Sequence, residues 1–357
     1  MPRLKIDLPL FFGLLLLSAV SLVILWSAGG EQSVIVRNQA IRITVAFTGM
    51  LIVAQVRPDT WFRWSPYIYG VGMVMLLLVL IVGYTGKGAQ RWLDLGLIRF
   101  QPSELMKIGV PMMLAWVLAR RPLPPSTPSL FYAGAILALP AILILRQPDL
   151  GTTIMIVMSG TLIIFLAGFA WRSIGKLALL GAIAAPFLWQ LLRDYQKQRI
   201  LTLFDPWSDP LGAGYHSIQS MIAIGSGGMQ GRGWTQGSQS QLEFIPERHT
   251  DFIFSVFSEE FGFIGVLLLF TLYVAITARG LYIAFYTQDT YSRLLAGSLS
   301  MTFFFYVFVN VGMVAGLLPV VGVPLPLISY GGTSMVTLMA GFGILMGIQN
   351  HRSLMSR

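Results

Sequence analysis

The chain has 357 residues, of which 55% are hydrophobic and only 11% charged, with a formal net charge of +9 and a mean hydropathy of +0.72. A soluble domain of this length needs far more charge to cover its surface, so lipid is the main solvent, and the positive balance reads first as loop charge that orients a membrane protein rather than as a nucleic-acid footprint. The absence of cysteine excludes disulfides and thiolate-bound metals, and the three histidines, His216, His249 and His351, lack zinc-ligand spacing.

A spanning helix needs about 20 apolar residues, because lipid offers no partner to a stray backbone amide. Apolar runs predict helices over 8–28, 38–56, 67–83, 103–119, 129–146, 153–170, 177–192, 253–278, 293–318 and 335–349. The expected fold is an all-α polytopic membrane protein of about ten transmembrane helices, with a large extracytoplasmic loop between the seventh and eighth. It forms one integral membrane domain over 1–357. The first run is long enough to span, and no small-residue cleavage site follows it.

An even number of spans puts both termini on one side, and Arg3 and Lys5 place that side in the cytoplasm. Each cytoplasmic segment then carries two basic residues: Arg3 and Lys5, Arg57 and Arg63, Arg120 and Arg121, Arg172 and Lys176, Arg279 and Arg293, Arg352 and Arg357. These are half of the 24 Lys and Arg. The other half lies in the membrane or outside and needs another explanation.

Three outer segments stand out. Residues 84–102 carry Lys87, Arg91 and Arg99; residues 193–252 form a Gly-, Ser- and Gln-rich loop with Arg193, Lys197, Arg199, Arg232 and Arg248; residues 319–334 are uncharged but rich in Pro and Gly. Long loops of this kind are more often functional than decorative. Asp251, just before the helix over 253–278, reads either as an N-cap or as a general base. The crowding of Glu247, Arg248, His249 and Thr250 beside it favours the base. Inside that helix Glu259 and Glu260 must face a cavity or a partner, because an ionised carboxylate in lipid costs roughly 2.5–3.5 kcal/mol. Glu104 and Lys107 stand three apart on one face of the helix over 103–119, as a structural pair, a cavity lining or both. Trp92 suits an interfacial anchor, and Lys87 and Arg91 beside it suit an anionic head group. Asp149 reads as a turn or cap residue. The glycines at 225–233 lack the strand-to-helix setting of a nucleotide loop.

Nine segments in order, KGAQRWL (87–93), QPSELMK (101–107), QPDLGT (147–152), YQKQRI (195–200), FDPWSDPLGAGYH (204–216), IAIGSGGMQGRG (222–233), PERHTDFIFS (246–255), EEFGFIG (259–265) and PLPLISYGGTS (324–334), resemble the SEDS family of polytopic peptidoglycan glycosyltransferases. QRWLDLG and PERHTDFIF resemble its elongation branch more than its division branch. The resemblance implies polymerisation of lipid II (undecaprenyl-pyrophosphate disaccharide-pentapeptide) outside the membrane, together with a class B penicillin-binding protein. It carries the family's essential aspartate to Asp251, its loop tryptophan to Trp92, and its Glu–Lys pair to Glu104 and Lys107.

The chemistry implied is an inverting displacement, with Asp251 as base and cations meeting the leaving pyrophosphate. Lys87, Arg91, Arg199 and Arg248 are available for that, and His249 adjoins the base. A divalent cation, Mg or Mn, taking Asp251 as ligand stays open, with no certain metal site. Membrane lipid is an expected partner and nucleic acid is not. Two other readings remain at this point: a transporter or flippase for the same lipid, using the carboxylates and lysine inside the helices, and a non-catalytic scaffold for the penicillin-binding protein.

Overall fold

The structure, a computed structural model, describes residues 6–86, 89–94, 96, 99–168, 175, 186, 189–190, 194–212, 214–242, 244–245 and 247–355. Its long helices are α1 (Leu8–Ala28), α2 (Ser33–Ala54), α3 (Pro58–Val82), α4 (Pro102–Ala119), α5 (Thr127–Arg146) and α6 (Leu150–Leu166). After three shorter helices come α10 (Ile253–Tyr286), α11 (Thr290–Val314) and α12 (Thr333–Met355). Every expected helix has a counterpart among these except that over 177–192, of which all but residues 186, 189 and 190 lie outside the described residues.

Five of these helices, α1, α3, α5, α10 and α11, are long and apolar enough to cross a membrane. Their outer faces confirm the solvent: Ile81, Phe131 and Phe285 are all more than three-quarters exposed, which only lipid makes favourable. α2 and α4 carry Gln39, Glu104 and Lys107, and their buried or nearly buried side chains turn toward protein instead. The chain is thus an all-α polytopic membrane protein whose core lies between the helices.

Local chemistry explains the ends of these elements. Asp7 caps α1 by accepting from Leu10 N at 3.0 Å, and it also holds Arg279 of α10 in a two-point ion pair, Nη2 to Oδ2 at 2.6 Å. Proline at the first helical position opens α3 and α4, where its missing N–H costs nothing. α2 lies flat on α12 because Gly343 leaves room for it: a Cβ there would meet the carbonyl oxygen of Met50 at 2.6 Å.

Two expectations about the loops change. Residues expected as loop after α3 form a small antiparallel sheet, with β1 (Tyr84–Gly86) paired to β2 (Ala89–Asp94) and β2 to β3 (Arg99–Phe100). Only Thr85 and a few aromatic and branched residues favour strand there, so the sequence carries little strand signature. The expected loop of 193–252 contains α7 (Asp194–Phe204), α8 (Tyr215–Ser226) and the single turn α9 (Ser238–Gln241). Both regions, the 147–149 turn and the 319–332 segment meet at one end of the bundle, opposite the Asp7–Arg279 pair.

Candidate active site

The site is built on a break in α10. Gly262 adopts φ 63° and ψ −166°, a conformation essentially confined to glycine, and the helix splits there into two pieces. The carbonyls freed at Glu259 and Glu260 accept from Arg232 N at 2.9 Å and Gly233 N at 3.1 Å. In return Phe263 N and Ile264 N donate to Gly228 O and Met229 O. The glycine-rich run at 225–233 therefore splints the break. It cradles backbone, not phosphate.

Both buried carboxylates beside the break are structural. Glu259 accepts from Gln239 N at 2.9 Å and Ser240 N at 3.2 Å, capping α9. Glu260 accepts from the Ser27 hydroxyl of α1. Glu259 thus ties the outer segment to α10, and Glu260 ties α10 to α1.

The turn before α10 is held by its carbonyls. Tyr330 N donates to His249 O at 2.8 Å, Ser329 Oγ donates to Thr250 O at 2.7 Å, and Asn310 Nδ2 donates to Asp251 O at 2.9 Å. Three consecutive residues are pinned from α11 and the 319–332 segment. The N-cap position falls on Phe252, so Asp251 is not the helix cap that the sequence offered as one reading.

Asp251 lines a cavity of about 700 Å³ between α7, α8, the turn before α10 and the 316–322 segment. Gln198, Arg199, Thr202 and Leu203 line it from one face of α7, as the helical repeat dictates. His216 enters from α8, stacked on Phe252 with ring centroids 5.7 Å apart. Glu247 and Gly322 complete the wall around Asp251; a Cβ at Gly322 would stand 3.4 Å from Asp251 Oδ2. Burial holds the His216 imidazole below its usual pKa; Glu247 opposes that shift and the Arg199 cation adds to it. The cavity thus gathers two carboxylates, a guanidinium and an imidazole held toward its neutral form.

Among the residues proposed from sequence, Asp251 and Arg199 meet at this cavity. Arg91 does not: its guanidinium donates to the carbonyls of Gln147 (3.2 Å) and Pro148, staking down the turn before α6. Trp92 is half-buried in the sheet, opposite Tyr84. Glu104 and Lys107 pair inside the bundle at 2.7 Å. Arg248 donates to Ser240 O, and His249 packs edge-on against Tyr330. Lys87 lies outside the described residues.

Sequence reasoning missed His216 and Asn310 as site residues. His216 closes the FDPWSDPLGAGYH motif, a signal that was available; Asn310, inside an apolar helix, gave none. Among the described residues no group of three or more His, Asp or Glu could hold a metal ion alone. The cavity's two carboxylates, Asp251 and Glu247, match the one or two with which Mg2+ is held when substrate phosphates supply the other oxygens.

The model of the cell cycle protein family that groups FtsW, RodA and SpoVE matches residues 2–354. The peptidoglycan glycosyltransferase MrdB of Escherichia coli K12 is 49% identical over 356 residues, covering 99% of this chain and 96% of that one. A probable peptidoglycan glycosyltransferase FtsW of Idiomarina loihiensis is 34% identical, over 98% of this chain and 86% of its own. Among solved structures, the rod shape determining protein RodA of Thermus thermophilus matches with a TM-score of 0.74 at 28% identity, over 99% of both chains. A chain from a peptidoglycan synthase complex, described as coordinating polymerization and crosslinking, matches with a TM-score of 0.84 at 34% identity, over 98% of this chain and 99% of that one.

Fold, cavity and relatives together define a polytopic membrane glycosyltransferase. The chain belongs to the SEDS family, in its RodA/FtsW line.

Proposed function

We propose that this chain polymerises lipid II into β-1,4-linked glycan on the outer side of the bacterial inner membrane during cell elongation. The observation that carries the proposal is the meeting of Asp251 and Arg199 on one cavity large enough for a sugar–pyrophosphate. On this reading the chain spans the membrane ten times with both termini in the cytoplasm, and the cavity end faces outward.

The substrate's sugar is α-linked to pyrophosphate and the product is β-linked, so a single displacement with inversion suffices. Asp251 takes the proton of the acceptor hydroxyl as its oxygen attacks the anomeric carbon. The bond to the pyrophosphate oxygen breaks, and Arg199 meets the charge that develops there. His216, held toward its neutral form, adds a hydrogen-bonding ring without a competing charge. Asp251 and Glu247 would hold a divalent cation, which would supply charge to neutralise the leaving group.

The similarity to a chain of a peptidoglycan synthase complex supports a crosslinking partner, a class B penicillin-binding protein. Transport of lipid II gains nothing from the structure, because the carboxylates inside the bundle are engaged with Lys107, Ser27 and the α9 backbone. The test is a polymerisation assay with defined lipid II on purified wild type, Asp251→Ala and Asp251→Asn, with and without chelator. Both variants should remain folded and lose about a hundredfold or more of turnover. Full turnover by Asp251→Asn would end the base assignment.

A further inference from the structure

We infer that Asn310 is a positioning residue that sets the Asp251 carboxylate against the opposite wall of the cavity. The inference rests on Asp251 being the base and deepens that reading. Asn310 lies in α11, fully buried, near the end of the helix that approaches the cavity. Its Nδ2 spends both hydrogens on backbone carbonyls, Asp251 O at 2.9 Å and Val323 O at 2.7 Å. Those two acceptors belong to different walls. One is the turn that carries the carboxylate; the other follows Gly322, whose backbone faces Asp251 Oδ2. A single planar amide thereby fixes the width of the cavity at the base. Because both contacts are to carbonyls, the amide cannot be flipped without losing them.

Stability alone does not account for this residue. Asn310 Oδ1 is buried with no hydrogen-bond partner, a costly arrangement that an apolar side chain would avoid. Other bonds already hold the turn: Tyr330 N and Ser329 Oγ pin the two preceding carbonyls. What Asn310 adds is the last fixed point, at Asp251 itself, and the link to the facing wall. Displacing a catalytic group by about 1 Å costs on the order of a hundredfold in rate, so a fixed width at this point bears directly on turnover.

The experiment compares purified wild type, Asn310→Leu and Asn310→Gln in steady-state polymerisation of defined lipid II, with thermal melting of each. Asn310→Leu removes both bonds, and Asn310→Gln keeps the amide but moves it outward by one methylene. Both should lower kcat about tenfold to a hundredfold with KM within about twofold, because the contact acts on the reacting geometry and not on substrate binding. Asn310→Leu strands the Asp251 and Val323 carbonyls and should melt somewhat below wild type, whereas Asn310→Gln, which keeps the donors, should melt close to it. Wild-type kcat in both variants overturns the inference. So does a loss of activity that follows a lowered melting temperature in both, which would mark Asn310 as a packing residue. Asp251→Asn is measured beside them so that the two readings fail separately. Full turnover in that variant overturns the base, whereas its loss alongside wild-type kcat in both Asn310 variants overturns the positioning role alone.

Discussion

Lys107 Nζ lies 2.7 Å from Glu104 Oε1 one turn earlier on α4, and both side chains are nearly buried. The ammonium also faces the ring of Tyr306 on α11 at 5.5 Å, one turn along that helix from Asn310. Removing one member of a buried pair strands the other charge, at a cost of about 3–5 kcal/mol. Glu104→Gln and Lys107→Met should each lower the melting temperature in detergent sharply, and the double variant should recover most of the loss. Equal losses in the single and double variants would show that charge neutralisation is not what the pair contributes.

Arg91 and Arg199 should behave as different kinds of residue. Arg91 spans two carbonyls of the turn that ends in Asp149, and Asp149 in turn caps α6 and accepts from Gln101 at 3.0 Å. A lysine cannot span both carbonyls, so Arg91→Lys should cost about 1–3 kcal/mol of stability while leaving KM for lipid II unchanged. Arg199 lines the cavity, and Arg199→Ala should instead lower kcat and kcat/KM by about tenfold or more, through loss of a charge-assisted contact that strengthens as the pyrophosphate leaves, with little change in melting. Melting curves and steady-state kinetics on both variants separate the two. A raised KM with normal melting in Arg91→Lys would return it to the substrate site.

These two arginines also indicate what sequence can reveal. Long apolar runs made the bundle legible, because lipid imposes one length and one hydrogen-bonding solution on a spanning segment. Asp251 and Arg199, which meet at the cavity, were singled out because a carboxylate crowded by exchangeable donors at a helix start and a set of loop cations suit pyrophosphate chemistry. Adjacency in sequence is not adjacency at the cavity: Arg248 and His249 adjoin Asp251, yet Arg248 donates to Ser240 O and His249 packs against Tyr330. Asn310 is 59 residues from Asp251, and nothing local announces a contact made through a backbone carbonyl. Glu259 and Glu260 had to face a cavity or a partner, and the fold about the break at Gly262 shows the partners: the α9 backbone for Glu259 and the Ser27 hydroxyl for Glu260.

That break gives a sharp stability test. A Cβ at position 262 would stand 2.2 Å from Gly231 N, on backbone that the splint itself holds in place. The conformation is strained for any L side chain, by roughly 1–3 kcal/mol before the clash is counted. Gly262→Ala should fail to yield folded protein or melt far below wild type. Gly134→Ala in α5 is the control, since a Cβ there meets nothing within 4 Å. It should melt at or slightly above the wild-type temperature, given the helix preference for alanine of about 1 kcal/mol. A well-folded Gly262→Ala protein would mean that the 225–233 splint yields, and that the cavity end is softer than its hydrogen bonds imply.

His216 supplies the pH dependence. Its imidazole is held below the usual value chiefly by burial, with Glu247 opposing and the Arg199 cation reinforcing that shift. In the unfolded chain the ring takes its proton near the ordinary pKa of about 6.5, whereas in the folded protein protonation waits for lower pH. The unfolded state therefore binds more protons as the pH falls through this window. Stability is full above about pH 6.5 and declines as the pH drops toward the folded value. Melting temperature should fall between about pH 7.5 and about pH 5, and His216→Gln should flatten that fall by removing the titrating group. Arg199→Ala should flatten it in part, since losing the nearby cation lets the imidazole pKa rise toward its ordinary value. An unchanged acid limb in His216→Gln would assign the pH dependence to another group and leave His216 as a stacking partner of Phe252.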